Sequence, residues 1–280
     1  MGSRNAALFG AAVETWLRPR WPEPQRLPAG LRALMSTRAG GVSVGVFSSL
    51  NLRWPDATLP DDVQAVRENR RRFEAALALR PRWLRQVHGH EVLALDPSPA
   101  GEQPAPVADA AFSQTPGIAC AVQVADCLPV LLVADAHDPQ GQSLPRVCAA
   151  AHAGWRGLAS GVLQAAVARM CSAAGVQPAH LQAWLGPCIG PSRFEVGAEV
   201  LQAFADGAEH FVRRDRPDGS PRWLCDLPAL ARRRLAEAGV RRVGGGSWCT
   251  VERASEFFSH RASGGLTGRM AAAIGFAHLD

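Results

Sequence analysis

The 280-residue sequence has no lysine and no tyrosine, so all 30 of its basic residues are arginine. GC-rich coding favours arginine over lysine and disfavours tyrosine, and this accounts for the bias without invoking function. The lack of lysine excludes a Walker phosphate loop, and the glycine-rich GGVSVG at 40–45 also lacks the Walker spacing. The seven cysteines include no C-x-x-C pair. That excludes a zinc ribbon, and the odd count speaks against a closed disulfide framework and for a reducing compartment. No stretch approaches the roughly 18 uninterrupted apolar residues of a membrane span. The apolar AALFGAAV at 6–13 is short, runs at once into Glu14 and carries no convincing cleavage site. A cytoplasmic protein without a membrane partner is the expectation. The net charge of +5 comes from arginines scattered along the chain, with no aromatic interleaving to build a stacking platform. Nucleic acid is therefore not the expected partner.

A hydrophobic content of 47% over this length is ordinary for a globular protein and sufficient for a sizeable core. Residues 1–30, rich in Pro, Arg and Trp, read as a leader or edge segment, and 31–280 as one catalytic domain. Asp61 and Asp62 suit a helix N-terminus, and Val63, Val66, Phe73 and Leu77 keep helical spacing behind them. WLRQV and EVLAL, on either side of the HGH at 88–90, read as short strands, and a Pro- and Gly-rich loop over 97–107 follows. IACAVQV, LPVLLVA and RVCAAA are continuous apolar runs of strand length, as buried strands require. AHDPQGQSLP between the last two reads as a surface hairpin extension. Residues 157–175, 195–205 and 226–239 read as helices, LQAWLG as a strand, and RMAAAIGFA as a closing strand or short helix. Helices and strands mix without regular βαβ alternation, which predicts one α+β domain.

His88, Cys127 and His152 each fall at the end of a predicted strand beside small residues. Two imidazoles and a thiolate suit zinc and leave a fourth position open. Their spacing matches no local metal motif, and a buried cysteine with two hydrogen-bonded histidines is the commoner arrangement in any single sequence. Cys127 and His152 alone could instead be the nucleophile and base of a cysteine hydrolase. Arg38, Arg156 and Arg261 lie beside glycine or histidine, and a guanidinium fork recognises phosphate or carboxylate. For any one of them a solvated or structural role is the commoner one.

In their order along the chain, several motifs resemble one family. They are STRAGGVS with SLNL, QVHG, ADCLPVLL, AHAGWRG, WLGPCIGPSRFEVG, and FFSHR with TGRM. The family is the multicopper polyphenol oxidase-like one (YfiH-like, laccase domain), also described as purine nucleoside phosphorylases. The resemblance runs from about residue 31 to the end. It implies a single α+β domain with two mixed sheets between helices, in an α/β/β/α arrangement. It also implies His88, Cys127 and His152 as zinc ligands and catalytic centre, with copper as the other metal to consider. Arg261 would take phosphate or another substrate anion, and Arg38, Asn51 and Arg156 would line the substrate site. The implied activities are phosphorolysis of adenosine, inosine and methylthioadenosine, and deamination of adenosine. The implied partners are small nucleosides and phosphate, and the chain is expected to act as a monomer. A cysteine amidase editing cell-wall precursors, copper-dependent polyphenol oxidation, and a metal-stabilised binding protein are the alternatives.

The chain departs from the family pattern at two places. RWPDATLPDD at 53–62 replaces the usual Gly and His after SLNL, and His260 and Ala262 replace Tyr and Arg in FFSYRR. A multicopper oxidase centre needs several H-x-H pairs besides a blue-copper His₂Cys set. With eight histidines and one H-x-H, His88-Gly89-His90, the chain cannot build it alone. Asp126, beside the cysteine, is a possible proton carrier but stays outside the expected catalytic set.

Overall fold

A computed structural model describes residues 15–95 and 105–279. AALFGAAV and most of the 97–107 loop lie outside the described residues. The described residues open with β1 (Trp16–Leu17) and β2 (Leu31–Ser36), and β1 is the edge strand of its sheet. Helix α1 (Val63–Leu77) starts where Asp62 accepts a 2.7 Å hydrogen bond from the Ala65 N–H, an N-cap that satisfies an otherwise orphaned donor. Its inner face is Val66, Asn69, Phe73 and Leu77, whereas Val63 is exposed. Asn69 tolerates burial because its amide donates to Ser43 Oγ and to the carbonyls of Ser49 and Asn51.

β3 (Arg80–Arg82) is followed by loop, so the expected strand WLRQV does not form. Its hydrogen bonds go elsewhere. The Gln86 side chain exchanges two 2.8 Å bonds with the Gln123 backbone, and a carboxylate binds the N–H groups of residues 87–89. β4 (Val92–Ala94), β5 (Ala110–Ser113), β6 (Ile118–Val124), β7 (Leu128–Ala134) and β8 (Cys148–Ala153) follow the apolar runs. β7 and β8 pair antiparallel, which makes the polar stretch between them the hairpin extension predicted. The expected helix over 157–175 is two, α2 (Trp155–Ala159) and α3 (Val162–Ala174). Gly161 at φ 92° breaks it, a conformation that ends an α-helix.

β9 (Leu181–Leu185) precedes β10 (Glu195–Val196) and the short α4 (Ala198–Ala203), so the helix expected from residue 195 begins as strand. β11 (Phe211–Arg213), β12 (Trp223–Cys225), α5 (Leu227–Glu237), β13 (Arg242–Gly245) and β14 (Met270–Phe276) complete the chain.

Two mixed sheets form the centre. One has the order β1-β2-β14-β6-β3 and the other β13-β9-β7-β8-β5-β4, with β3–β6, β4–β5 and β9–β13 parallel. β6 and β14 face β7 and β8 across an apolar layer that includes Met35, Val122, Leu131, Trp184 and Ile274. α1 covers the outer face of the first sheet through Phe73 and Leu77, and α3 and α5 cover that of the second. This is the expected α+β class and α/β/β/α layering. A third, three-stranded sheet, β10-β12-β11, was not expected.

Leu131 is fully buried between the sheets. Replacing Leu131 with Ala should cost about 2–5 kcal/mol by urea unfolding, from lost burial and the cavity left behind. The exposed Val212→Ala should stay within about 0.5 kcal/mol.

Candidate metal centre

The three ligand candidates come from a loop, a turn and the end of a strand. His88 lies in the loop after β3 in a left-handed conformation, φ 61°. Cys127 occupies the turn between β6 and β7, and Asp126 before it also has a positive φ, 85°. His152 lies in the last turn of pleat of β8, facing into the site. The fold brings them together: one ligand atom from each lies within 4.8 Å of the others. Cys127 Sγ stands 3.7 Å from His88 Nε2, and the two imidazoles meet edge-to-face with centroids 4.7 Å apart.

Asp109, buried just ahead of β5, holds this arrangement. Its carboxylate accepts from the backbone N–H groups of Val87 (3.1 Å), His88 (2.9 Å) and Gly89 (2.7 Å). It also binds His152 Nδ1 at 2.8 Å. The backbone N–H of His152 donates to the Asp109 carbonyl at 2.7 Å. One carboxylate thus fixes the loop that carries the first histidine and the tautomer of the second, leaving His152 Nε2 free as a donor atom. Carboxylate–histidine pairs of this kind orient metal-bound imidazoles. Burial raises the Asp109 pKa, but the bonds from His152, Gly89 and Val87 outweigh it and leave the carboxyl below its ordinary range. Nothing in the sequence singled Asp109 out. The available signal was an aspartate opening an otherwise apolar strand, where a buried charge needs partners.

The residues fit a metal. Two neutral-capable imidazoles and a thiolate are a borderline-soft donor set. The space around them is kept by glycine: a Cβ on Gly154 would lie 3.0 Å from both Cys127 Sγ and the His88 ring, and one on Gly157 would lie 2.8 Å from the Gly89 carbonyl. These are the glycines of HAGWRG. Burial alone would raise the Cys127 pKa, but His152 and then His88 draw it down to about 6. For His152 burial acts downward, while Cys127 and Asp109 raise it to about 9. The metal-free site is therefore a thiolate beside an imidazolium.

Asp126 is not available as a proton carrier. Its Oδ1 accepts from Thr250 Oγ1 (2.6 Å), its Oδ2 from the Arg261 N–H (2.7 Å), and its carbonyl from the Ile189 N–H (2.9 Å). It ties the cysteine turn to the GPCIG and FFSHR loops. Arg261 of the FFSHR loop, with Trp155 three residues past His152, borders a cavity of about 400 Å³. Phe194, Glu195, Arg216 and Arg222 also line it. The Arg261 guanidinium lies over Phe194 and makes one bond, to the Glu195 carbonyl at 3.1 Å. His260 Nδ1 bonds the Gly265 carbonyl at 3.0 Å and closes its own loop.

The other arginines and Asn51 are placed differently. Arg38 gives Nε to the Ser48 carbonyl (3.0 Å) and a terminal nitrogen to the Ala254 carbonyl (2.6 Å), and packs over Phe258. Asn51 is buried with its amide fully engaged. Arg156 is exposed on α2, over the Trp155 ring. None of the three lines the cavity. Burial pushes the pKa of Arg269, of the TGRM motif, down, and so does the Arg53 charge, while Cys127, Asp126 and Asp56 act the other way.

The family described as multi-copper polyphenol oxidoreductase laccase matches residues 32–277. A Pseudomonas aeruginosa protein named purine nucleoside phosphorylase is 45% identical over 265 residues, which is 94% of this chain and 98% of its own. The Escherichia coli protein named purine nucleoside phosphorylase YfiH is 44% identical over 262 residues, 91% of this chain and 96% of its own. A crystal structure of a Neisseria meningitidis protein superimposes with a TM-score of 0.78 at 40% identity, covering 95% of this chain and all of that one. The structure of YlmD from Geobacillus stearothermophilus gives 0.77 at 31% identity, covering 89% and 93%.

Two outcomes test this site. Asp109→Asn should lower metal affinity about 10- to 100-fold by titration against a chromogenic chelator, since the orienting carboxylate is lost. In metal-free protein, iodoacetamide should label Cys127 with a rate that rises through about pH 6, where its thiol ionises. Cys171, also partly exposed but pushed up by burial, should label only at higher pH. Peptide mapping reads both, and a Cys127 rate that rises only near pH 9 would contradict the thiolate.

Proposed function

The chain belongs to the family described as multi-copper polyphenol oxidoreductase laccase, and from that membership we propose that it is a zinc-dependent purine nucleoside enzyme. Its reactions would be the phosphorolysis of adenosine, inosine and methylthioadenosine, and the deamination of adenosine. The observation that carries this reading is the His88–Cys127–His152 set locked by Asp109, tied through Asp126 to Arg261 on the wall of a cavity of about 400 Å³. Relatives named purine nucleoside phosphorylase, matched over almost their whole length, support it. Zinc held by these residues would supply Lewis acidity, the chemistry that attack of water at C6 of adenine requires.

The chain's own residues do the rest. His88, Cys127 and His152 would hold the metal, with Asp109 keeping His152 Nδ1 as its hydrogen-bond partner. Trp155 and Phe194 offer flat apolar surface to a purine ring. Arg261, with one carbonyl bond and no carboxylate partner among the described residues, can turn its remaining N–H groups to phosphate. A cation there neutralises charge as the glycosidic bond breaks. Arg156, exposed at the head of α2 next to Trp155, is proposed as a secondary substrate contact. Arg38 and Asn51 would act on the substrate site only by bracing its loops, since their polar atoms are engaged. Small nucleosides and phosphate are the proposed partners of a monomer in the cytoplasm.

The metal-free thiolate–imidazolium pair favours a second reading, a cysteine hydrolase with Cys127 as nucleophile and His152 as base. His88, within 3.7 Å of the sulfur, serves no purpose in that chemistry and a clear one as a ligand. Multicopper oxidation is less well supported. Among the described residues one cluster of three or more ligand side chains forms, and a copper oxidase needs more.

Exhaustive chelation should abolish nucleoside turnover, with zinc restoring it, and Cys127→Ala should lose both metal and turnover. Full activity after chelation would favour the hydrolase. Arg261→Ala should reduce phosphate-dependent cleavage far more than deamination, about 10- to 100-fold in kcat/KM; equal loss of both would contradict its role.

A further inference from the structure

In the proposed reaction Arg261 takes the phosphate and Trp155 and Phe194 the purine, and the ribose hydroxyls have no partner. Glu195 is the unassigned polar group beside these residues. It opens β10, pairs with Leu224 of β12 in the three-stranded sheet, and lines the same cavity.

Its carboxylate is held through one oxygen. The hairpin between β11 and β12 closes through the Arg214 N–H on the Arg222 carbonyl (2.8 Å) and the Arg216 N–H on the Ser220 carbonyl (3.0 Å). From this hairpin Arg216 reaches Glu195, where its Nε (2.9 Å) and a terminal nitrogen (2.6 Å) both donate to Oε1. Arg222 Nε stands 4.0 Å from the same oxygen. Oε2 accepts from no group among the described residues, and the side chain is 31% exposed. A carboxylate is an acceptor only, so an open oxygen held in place calls for a hydroxyl or N–H donor. Glu199 lines the cavity too, but it is exposed on α4 and no ion pair among the described residues fixes its carboxylate.

The main chain of Glu195 joins that carboxylate to the phosphate residue. Its carbonyl accepts the Arg261 bond at 3.1 Å. One residue thus carries an open acceptor on its side chain and a guanidinium fork on its backbone. Phosphorolysis needs those two functions as neighbours. A phosphate oxygen bonds to C1′ as the bond from C1′ to the base breaks, and the 2′-hydroxyl is on the next carbon. Carboxylates accept the ribose 2′-hydroxyl in dinucleotide sites by the same chemistry.

We propose that Glu195 accepts the ribose 2′-hydroxyl and so selects ribonucleosides over 2′-deoxyribonucleosides, with Arg216 as the positioning residue that fixes its carboxylate. The assignment rests on the nucleoside reading above. A site built to bond a hydroxyl rejects the analogue that lacks it, because its own polar group is then left unpaired.

The test is calorimetric titration of the full chain, with the metal it carries and without phosphate, by inosine and 2′-deoxyinosine. Neither ligand can be phosphorolysed without phosphate, and neither carries the amine that deamination removes. The wild type should bind inosine about 10-fold tighter than 2′-deoxyinosine, equivalent to ~1.4 kcal/mol. Glu195→Ala should bring that ratio within about twofold of one, and the isosteric Glu195→Gln to about threefold, both by losing inosine affinity. Retained 2′-deoxyinosine affinity shows that the fold is intact. Arg216→Gln should lower the ratio in the same direction, and Glu199→Gln should keep it. The proposal is overturned if the wild type does not prefer inosine, if the ratio survives in both Glu195 variants, or if Glu199→Gln collapses it as fully. A ratio kept in Arg216→Gln removes the positioning role. A wild type that binds neither nucleoside contradicts the nucleoside reading and this proposal together, whereas a preference that survives at Glu195 removes the proposal alone.

Discussion

The site depends on one buried carboxylate. Asp109 takes three backbone N–H groups from the His88 loop and the Nδ1 of His152, so neither histidine could hold its place without it. His88 pays for this with a positive φ that non-glycine residues rarely adopt, and the three N–H bonds over-determine that conformation. Cys127 is fixed independently, by an Asp126 turn tied to Thr250, Ile189 and Arg261. Two anchored carboxylates thus bring three loops to one point. The paired sheets behind them supply the rigidity that keeps the ligand atoms within 4.8 Å.

The arginines divide between bracing and recognition according to what their donors already touch. Arg38 is spent on backbone carbonyls, and Arg26 and Arg242 on the buried Asp135. Arg261 makes one carbonyl bond and pairs with no carboxylate among the described residues, which leaves most of its fork open to the cavity it lines. In a chain without lysine, every cationic contact that histidine does not make falls to a planar guanidinium fork, which favours oxyanions with two accessible oxygens.

Much of the fold was legible because its strands are unusually apolar. IACAVQV and LPVLLVA coincide with β6 and β7, since only a strand buried on both faces carries such a run. The places where the reading slipped share one cause, which is that side chains or single residues overrode local pattern. Gln86 and Asp109 took the hydrogen bonds that WLRQV would have used as a strand, and Gly161 split a helix whose periodicity was continuous. At the site, His88, Cys127 and His152 were legible as residue types, and the resemblance joined them. Asp109 was not, because nothing in ADAAF shows that its aspartate faces a histidine 43 positions on. Asn51 was legible as important but not in kind: it is buried and braces the backbone at Arg53 and Arg269.

The central claim is that this chain holds one metal through two imidazoles and a thiolate. X-ray absorption spectroscopy on the metal bound by the purified protein tests it most directly. The account predicts one metal per chain with one sulfur scatterer at about 2.3 Å and two imidazole nitrogens at about 2.0–2.1 Å for zinc. The sulfur shell should vanish in Cys127→Ala. A coordination shell without sulfur in the unaltered protein would contradict it.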